Sequence, residues 1–444
     1  MEQKGRFARR TRVRRLVHYR VLLLALVLGA TLLAGIVVWA ADSDLDPGFD
    51  GDGIVTTDYG EFEQINDMVI QPDGKIVAVG HTGIFHTSSQ EPLSMMVARY
   101  HSDGSPDTTF GTDGIVTTDI GLYAKARAVA LQPDGKIVVA GRAGSINQSD
   151  FALVRYHPNG KPDNTFGIGG IVITSITNFF TQITDLVIQS DGNIVVVGEL
   201  GPFVTVARYH TDGSLDFPFS FRGGPAFFSS PGRIVQQTDQ KIVVTGVCIV
   251  NSEPQFCLLR YNPDATIDGT FDEDGIVITH FETTAGAARD IAIQPDGKIV
   301  VAGESFQNGG VIPALARYNT DGSLDTSFDG HGKLTTPNSL QLQTNALALQ
   351  ADGKILVAGS SFGLVQSISL TRYDSDGSLD ETFGSGGFVT TSIGPTHAAA
   401  AAVALQTDGR IVVGGYRSFT NDPEANFADF VLVRYGHPPG AGNH

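Results

Sequence analysis

The 444-residue chain carries a formal charge of −17, with 30 Lys and Arg against 47 Asp and Glu. Residues 1–40 hold eight of the bases and one acid, so the remaining 22 bases and 46 acids leave the rest of the chain at −24. A body this acidic repels phosphate backbones and excludes nucleic acid as a natural partner.

The N-terminal bases, from Lys4 to Arg20, run straight into an uncharged apolar stretch, Val21 to Ala41. That order describes an export signal, with Val38-Trp39-Ala40 offering small residues at a cleavage site. About 20 apolar residues also suffice for an uncleaved anchor. In either case the bases stay in the cytoplasm and the body is exported, secreted or held on the outer side of the cell membrane. Contact with a membrane is expected only through residues 21–41, if they are retained. Residues 42–436 are read as one folded domain, and 437–444 as a flexible tail.

From residue 44 onward one repeat dominates. Arg-Tyr recurs seven times, at Arg99, Arg155, Arg208, Arg260, Arg317, Arg372 and Arg434. A Gln-x-Asp-Gly-Lys-Ile element begins at Gln71, Gln132, Gln189, Gln237, Gln294, Gln350 and Gln406, with small departures. An Asp-x-x-Phe element runs from Asp46/Phe49 to Asp380/Phe383. Each unit contains four short β-type runs separated by Asp-Gly turns, which are strand and hairpin signals. In the fifth unit they are Ile291–Gln294, Lys298–Ala302, Ala314–Tyr318 and Lys333–Thr336.

Four strands per unit, seven times over, predict an all-β fold: a seven-bladed β-propeller of four-stranded antiparallel blades. The first run, 53–58, follows an Asp-x-x-Phe element and is a fourth strand; the last, 430–435, is a third strand. Pairing of the two is expected to close the ring and remove an exposed edge. The apolar N-terminal helix lies outside this fold.

These motifs resemble the delta-60 repeat family, a bacterial β-propeller repeat of surface and secreted proteins. The resemblance rests on segments such as Gln294-Pro-Asp-Gly-Lys-Ile-Val-Val-Ala-Gly303 and Ala316-Arg-Tyr-Asn-Thr-Asp-Gly-Ser-Leu-Asp-Thr-Ser-Phe328, and covers residues 44–436. It implies the fold and the export, and no reaction.

A residue repeated in every blade serves the scaffold more readily than a single ligand. Each repeated Arg is expected to grip the Asp of its own Asp-x-x-Phe element, since a planar guanidinium matches a carboxylate. The repeated Phe should wedge between neighbouring blades. Asp374, Asp376 and Asp380 have the alternation of a calcium loop, but no bidentate Glu follows, and self-capped Asp-Gly turns explain the pattern more simply. No other cofactor is implied. Gly359-Ser-Ser361-Phe-Gly363 imitates a nucleophile elbow, yet no helix follows it. The lone Trp39 lies in the export segment, which disfavours Trp-built cofactor propellers and sialidase-type boxes. The reading therefore leans against an enzyme. Cys248 and Cys257 flank one loop, where the second unit has Ala143 and Ala152, and a disulfide is expected outside the cytoplasm.

Function is expected on the face opposite the repeated turns, where Gly83–Ser94, Ile249–Gln255, Gln307–Ile312 and Tyr416–Asp429 vary. Asn66, Arg127, Thr184, Arg289 and Asn345 begin the inner strands and are candidates to line the channel mouth. The Phe-rich stretch Phe217–Phe228 reads as the loss of a regular fourth strand. The preferred function is an extracellular binding or adhesion module that recognises protein or glycan through these loops. The alternatives are a structural surface scaffold without a dedicated ligand, and a glycan lyase or hydrolase acting at the mouth. A convergence of carboxylates, His or Arg there would favour the last.

Overall fold

Short runs rich in Val, Ile and Ala, punctuated by Asp-Gly turns, each become a strand. The computed structural model describes residues 43–436, apart from 60–61, 84–92, 146–147, 176–179, 201–202, 222–226, 282–284, 308–309, 337–341, 364, 395–396 and 419–427. The side chains of 203, 217–221, 227–229 and 307 also fall outside it. The described residues all belong to one compact unit, residues 41–444. The basic and apolar N-terminal stretch and the C-terminal tail lie outside the described residues. Among those described, no helix is long and apolar enough to cross a membrane.

The fold is all-β and propeller-like, built from repeated four-stranded antiparallel sheets. The fifth unit shows the plan: Ala285–Ile293, Ile299–Gln307, Gly310–Tyr318 and Lys333–Thr335 pair in that order. Four units stand as separate sheets. Three others join into one 12-stranded sheet through single parallel bridges, Phe62 to Ala428 and Leu93 to Tyr123. The ladders do not run on into one closed sheet. Ile54–Thr57 pairs antiparallel with Ala428–Tyr435, so the first strand completes the sheet of the last unit. Asp46 and Arg434 tie the same junction at 2.8 Å.

One cluster repeats at the seams. Asp107 accepts the Thr109 N–H and hydroxyl on one oxygen (3.0 and 2.6 Å) and Arg99 Nε on the other (2.8 Å). Arg99 also donates to the Pro158 carbonyl of the next unit, and its guanidinium lies 4.5 Å over the Phe110 ring. Arg155, Arg260, Arg317, Arg372 and Arg434 stack on Phe166, Phe271, Phe328, Phe383 and Phe49 in the same way. Their carboxylate partners are Asp163, Asp268, Asp325, Asp380 and Asp46, at 2.6 to 2.8 Å. Tyr hydroxyls bind Thr of the preceding unit, as Tyr100 does with Thr57 (2.6 Å) and Tyr435 with Thr391 (2.7 Å).

The third unit departs from the sequence expectation. Residues Leu215–Phe221 form a fourth strand after all, paired with Phe203–Tyr209, and Phe227–Gln236 is the inner strand of the next unit. The reason is Pro218. In five other units a Thr or Ser two residues after the Asp donates N–H and hydroxyl to it and makes a turn, and at Asp46 the Gly48 N–H alone does so. Proline has neither donor, so the chain runs directly into the strand. Arg208 and Asp216 still pair, at 2.6 Å, but more exposed than their counterparts.

Cys248 and Cys257 form a disulfide with Cα atoms 5.4 Å apart, both buried. The bridge is diagonal, because Cys248 stands opposite Gln255 and Cys257 opposite Gly246.

Candidate functional site

The inner strand of each unit bears a bulge. Pairing skips between Ile65 and Asp67, Ala126 and Ala128, Ile183 and Asp185, Ala288 and Asp290, Thr344 and Ala346, and Ala400 and Ala402. In the fourth unit the skip is from Pro231 to Ile234. A bulge leaves one residue unpaired and re-aims its side chain. Here the extra residues are Asn66, Arg127, Thr184, Arg289, Asn345 and Ala401, with Gly232 and Arg233 in the fourth unit. All of them line one cavity of about 440 Å³.

The bulge explains a repeated glycine. The inner-strand carbonyl bends toward the second strand, so a Cβ on Gly141 would meet the Lys125 oxygen at 1.9 Å, and one on Gly80 the Gln64 oxygen at 1.7 Å. The residue after this glycine stands opposite the residue two places before the bulged one, and these facing positions are termed the rim. Around the units these are His81, Arg142, Glu199, Glu304, Ser360 and Tyr416, opposite Gln64, Lys125, Gln182, Ala287, Gln343 and Ala399. Glu199, Tyr416 and three of the glutamines lie on the wall itself. Sequence reasoning missed this rim, although residues differing at one repeat position directly after a fixed glycine are a readable signal.

The five sequence candidates reach the same wall but are engaged differently. Asn66 donates to the Ala126 carbonyl (2.7 Å) and Asn345 to that of Ala400 (2.8 Å), each stitching two units together. The Thr184 hydroxyl reaches the Val197 carbonyl at 3.3 Å, and Arg289 pairs with buried Glu304 at 2.9 Å. Arg127 enters no salt bridge among the described residues, and its Nε is buried without a hydrogen-bond partner.

Deeper in, Arg233 lies 3.7 Å from Asp67 and 3.5 Å from Asp185. Asp67, Asp185 and Asp290 accept the N–H of Val129, Ile234 and Leu347 in the following units, at 2.9, 2.8 and 2.6 Å. Burial pushes all three carboxyls up, Asp185 to about 7, against the opposing pull of Arg233. Lys125 is pushed down to about 7, by burial first and then by Arg127 and Arg142.

Two of the three calcium-loop candidates, Asp374 and Asp380, meet on one lysine ammonium, and Asp376 caps its own turn. Lys354 binds Asp374 and, at 2.9 Å, Asp380, which Arg372 also holds; Asp376 accepts Ser378. Asp58, Glu63 and Asp429 bring carboxylate oxygens within 4.8 Å of one another beside the first-strand junction, with Asp429 held by Arg417 at 2.8 Å. Ser361 ends a strand and turns back to the Ser367 carbonyl at 3.5 Å, so no nucleophile elbow exists there. Of the variable loops, only Ile249–Gln255 is fully described; most of Gly83–Ser94 and Tyr416–Asp429 and part of Gln307–Ile312 lie outside the described residues.

The family model described as "Domain of unknown function (DUF5122) beta-propeller" matches residues 71–110, 132–166, 189–216, 237–271, 294–328, 350–383 and 406–436, more than half of the chain. The chain belongs to that family. A comparison with curated proteins finds none that matches the DUF5122 chain. Among solved structures, it is similar to a polysaccharide lyase described as a PL25 ulvanlyase, at 11% identity over 86% of this chain and 96% of that one, TM-score 0.48. It is also similar to Chaetomium thermophilum Sqt1, at 12% over 88% and 100%, TM-score 0.47. A third is a mutant NanB sialidase from Streptococcus pneumoniae, at 9% over 84% and 68%, TM-score 0.45. These likenesses concern fold alone. The expectation against an enzyme is withdrawn: lyases and a sialidase stand among the structures of similar fold.

Proposed function

We propose that this DUF5122 chain acts on a glycan at the axial cavity, as a lyase or hydrolase. The observation that carries the reading is the convergence on one cavity of Arg127, Arg233, Arg289, Glu199 and Tyr416 with the amides of Gln64, Gln182 and Gln343. Its volume is that of a small-molecule site. Planar amide, guanidinium and carboxylate groups suit a hydroxyl-rich ligand better than an apolar one. Two groups beside the wall, Lys125 and Asp185, change charge near neutrality, where proton transfer is most effective. Recognition through the outer loops has less support, because most of those residues are not described.

The same reading takes the repeats as delta-60-like, the seven units as one closed ring, and the body as exported on the strength of the basic and apolar N-terminal stretch. The test is to incubate the intact protein with neutral and acidic polysaccharides and follow both binding and chain cleavage. At least one glycan should be bound and shortened, and Arg127→Gln with Glu199→Gln should abolish the cleavage. Absence of binding and cleavage across the panel would overturn the proposal.

A further inference from the structure

The charge around the rim is one-sided. The second unit supplies Lys125, Arg127 and Arg142, whereas the third and fifth supply Glu199 and Glu304. Arg289 is already paired with Glu304, and Arg233 lies between Asp67 and Asp185. Arg127 and Arg142 have no ion-paired carboxylate among the described residues, and the Nε of each is buried without a partner. Lys125 and Arg142 stand directly opposite each other in the ladder. The Arg142 guanidinium is fixed between two aromatic faces, 5.0 Å from the Tyr123 centroid and 4.7 Å from that of Phe180. Tyr123 also lies 5.5 Å from the Lys125 ammonium.

Clustering like charges in a half-buried place is costly unless an opposite charge arrives. Glu199 is the carboxylate whose charge reaches Arg127 and Arg142, without forming an ion pair with either, so one acid faces two arginines. His81 adds no fourth charge at neutral pH: burial, Lys125, Arg127 and Arg142 keep its imidazole neutral.

We infer that the second-unit sector of the rim is an anion subsite, where Arg127 and Lys125, backed by Arg142, hold the carboxylate or sulfate of an acidic sugar. This rests on the glycan reading above and names the substrate class. Arg127 reaches the cavity wall and makes the contact; Arg142, held by its two aromatic rings, is a positioning residue that supplies field. Arg127 and Tyr123 from its own strand, with Arg142 and His81 from neighbouring strands, are the titratable or charged groups facing Lys125. Because the lysine loses its proton near neutrality, anion affinity should be greatest below that point and fall as pH rises through it.

The experiment measures binding of oligogalacturonate, its neutral methyl ester, chondroitin sulfate and inorganic sulfate to the intact protein by titration calorimetry at pH 6 and pH 8. Oligogalacturonate or chondroitin sulfate should bind at least about tenfold tighter than the methyl ester, and tighter at pH 6. The preferred member of that pair separates carboxylate from sulfate recognition. Arg127→Gln should remove about tenfold of that affinity, Arg127→Lys should restore part of it, and Lys125→Met should flatten the pH dependence. Lys161→Gln, in an exposed turn of the same unit, should change nothing. Unaltered thermal unfolding of the variants separates these effects from misfolding. If the methyl ester binds as well as the acid, the anion subsite is wrong and the glycan reading stands. If only inorganic sulfate binds, and Arg127→Gln abolishes that, the subsite stands and the glycan reading falls. If nothing binds, both fall.

Discussion

Arg155 shows how one side chain serves two units. It holds Asp163 at 2.8 Å, donates to the Thr211 carbonyl of the next unit at 2.5 Å, and covers Phe166 at 4.6 Å. Removing it leaves a buried carboxylate with only Lys136, at 3.4 Å, as a cationic partner, and uncovers a ring. Arg155→Met should therefore destabilise the fold by about 3 kcal/mol, read as a lower midpoint in urea unfolding. Loss of under 0.5 kcal/mol would show the cluster to be ornamental. This chemistry was legible in the sequence because Arg-Tyr and Asp-x-x-Phe recur together, and a pairing repeated in every unit cannot be accidental. Arg127 was legible only as a candidate. Its lack of a partner depends on which carboxylates fold close to it, and Glu199 and Glu304 come from other units.

At the level of strands, the bulge and its glycine position the site. Gly141→Ala would press a methyl onto the Lys125 carbonyl, 1.9 Å from an ideal Cβ, and the two strands must part. The expected outcome is a loss of affinity for the glycan of about tenfold or more, with a stability cost of about 1–3 kcal/mol. A variant that keeps full affinity would show that the bulge does not set the aim of Arg127. The first strand matters differently. Ile54–Thr57 covers the edge of Ala428–Tyr435, and Asp46 binds both Arg434 and Arg410 (2.8 and 2.9 Å). Deleting residues 45–58 should lower the unfolding temperature of the whole domain in one transition. Two transitions, one of them unchanged, would mean that the junction is local. The position of this strand was readable, since a fourth strand before any third strand has no partner except the end of the chain. The regular strand at Leu215–Phe221 was not readable, because the Phe and Pro content masks a proline-forced skip of the Asp-x-x-Phe turn.

Across the whole molecule, two sets of carboxylates give stability opposite pH dependences. In the seam clusters burial acts against ionisation, but the Thr hydrogen bonds and the Arg and Lys charges prevail. They hold Asp107 down to about 2, and Asp163, Asp268, Asp325 and Asp380 lower than an ordinary carboxyl. Such groups stabilise above the unfolded value of about 4, and that contribution is lost as pH falls toward 2. Asp67, Asp185 and Asp290 are raised by burial, so the folded state binds their protons more tightly, and stability rises as pH falls from about 7 toward 4. The unfolding midpoint should therefore peak at about pH 4–5 and fall steeply below it; a peak at pH 8 would reverse the assignment. The sequence by itself determined the four-stranded units, the turns that separate them and the charge pairs at their seams, because each is written locally and then repeated. Only the tertiary structure decided the cavity. Its residues lie about 55 apart along the chain and meet solely where the bulged inner strands converge, so which cation finds a carboxylate and which waits for a ligand follows from distances between units and not from any stretch of sequence.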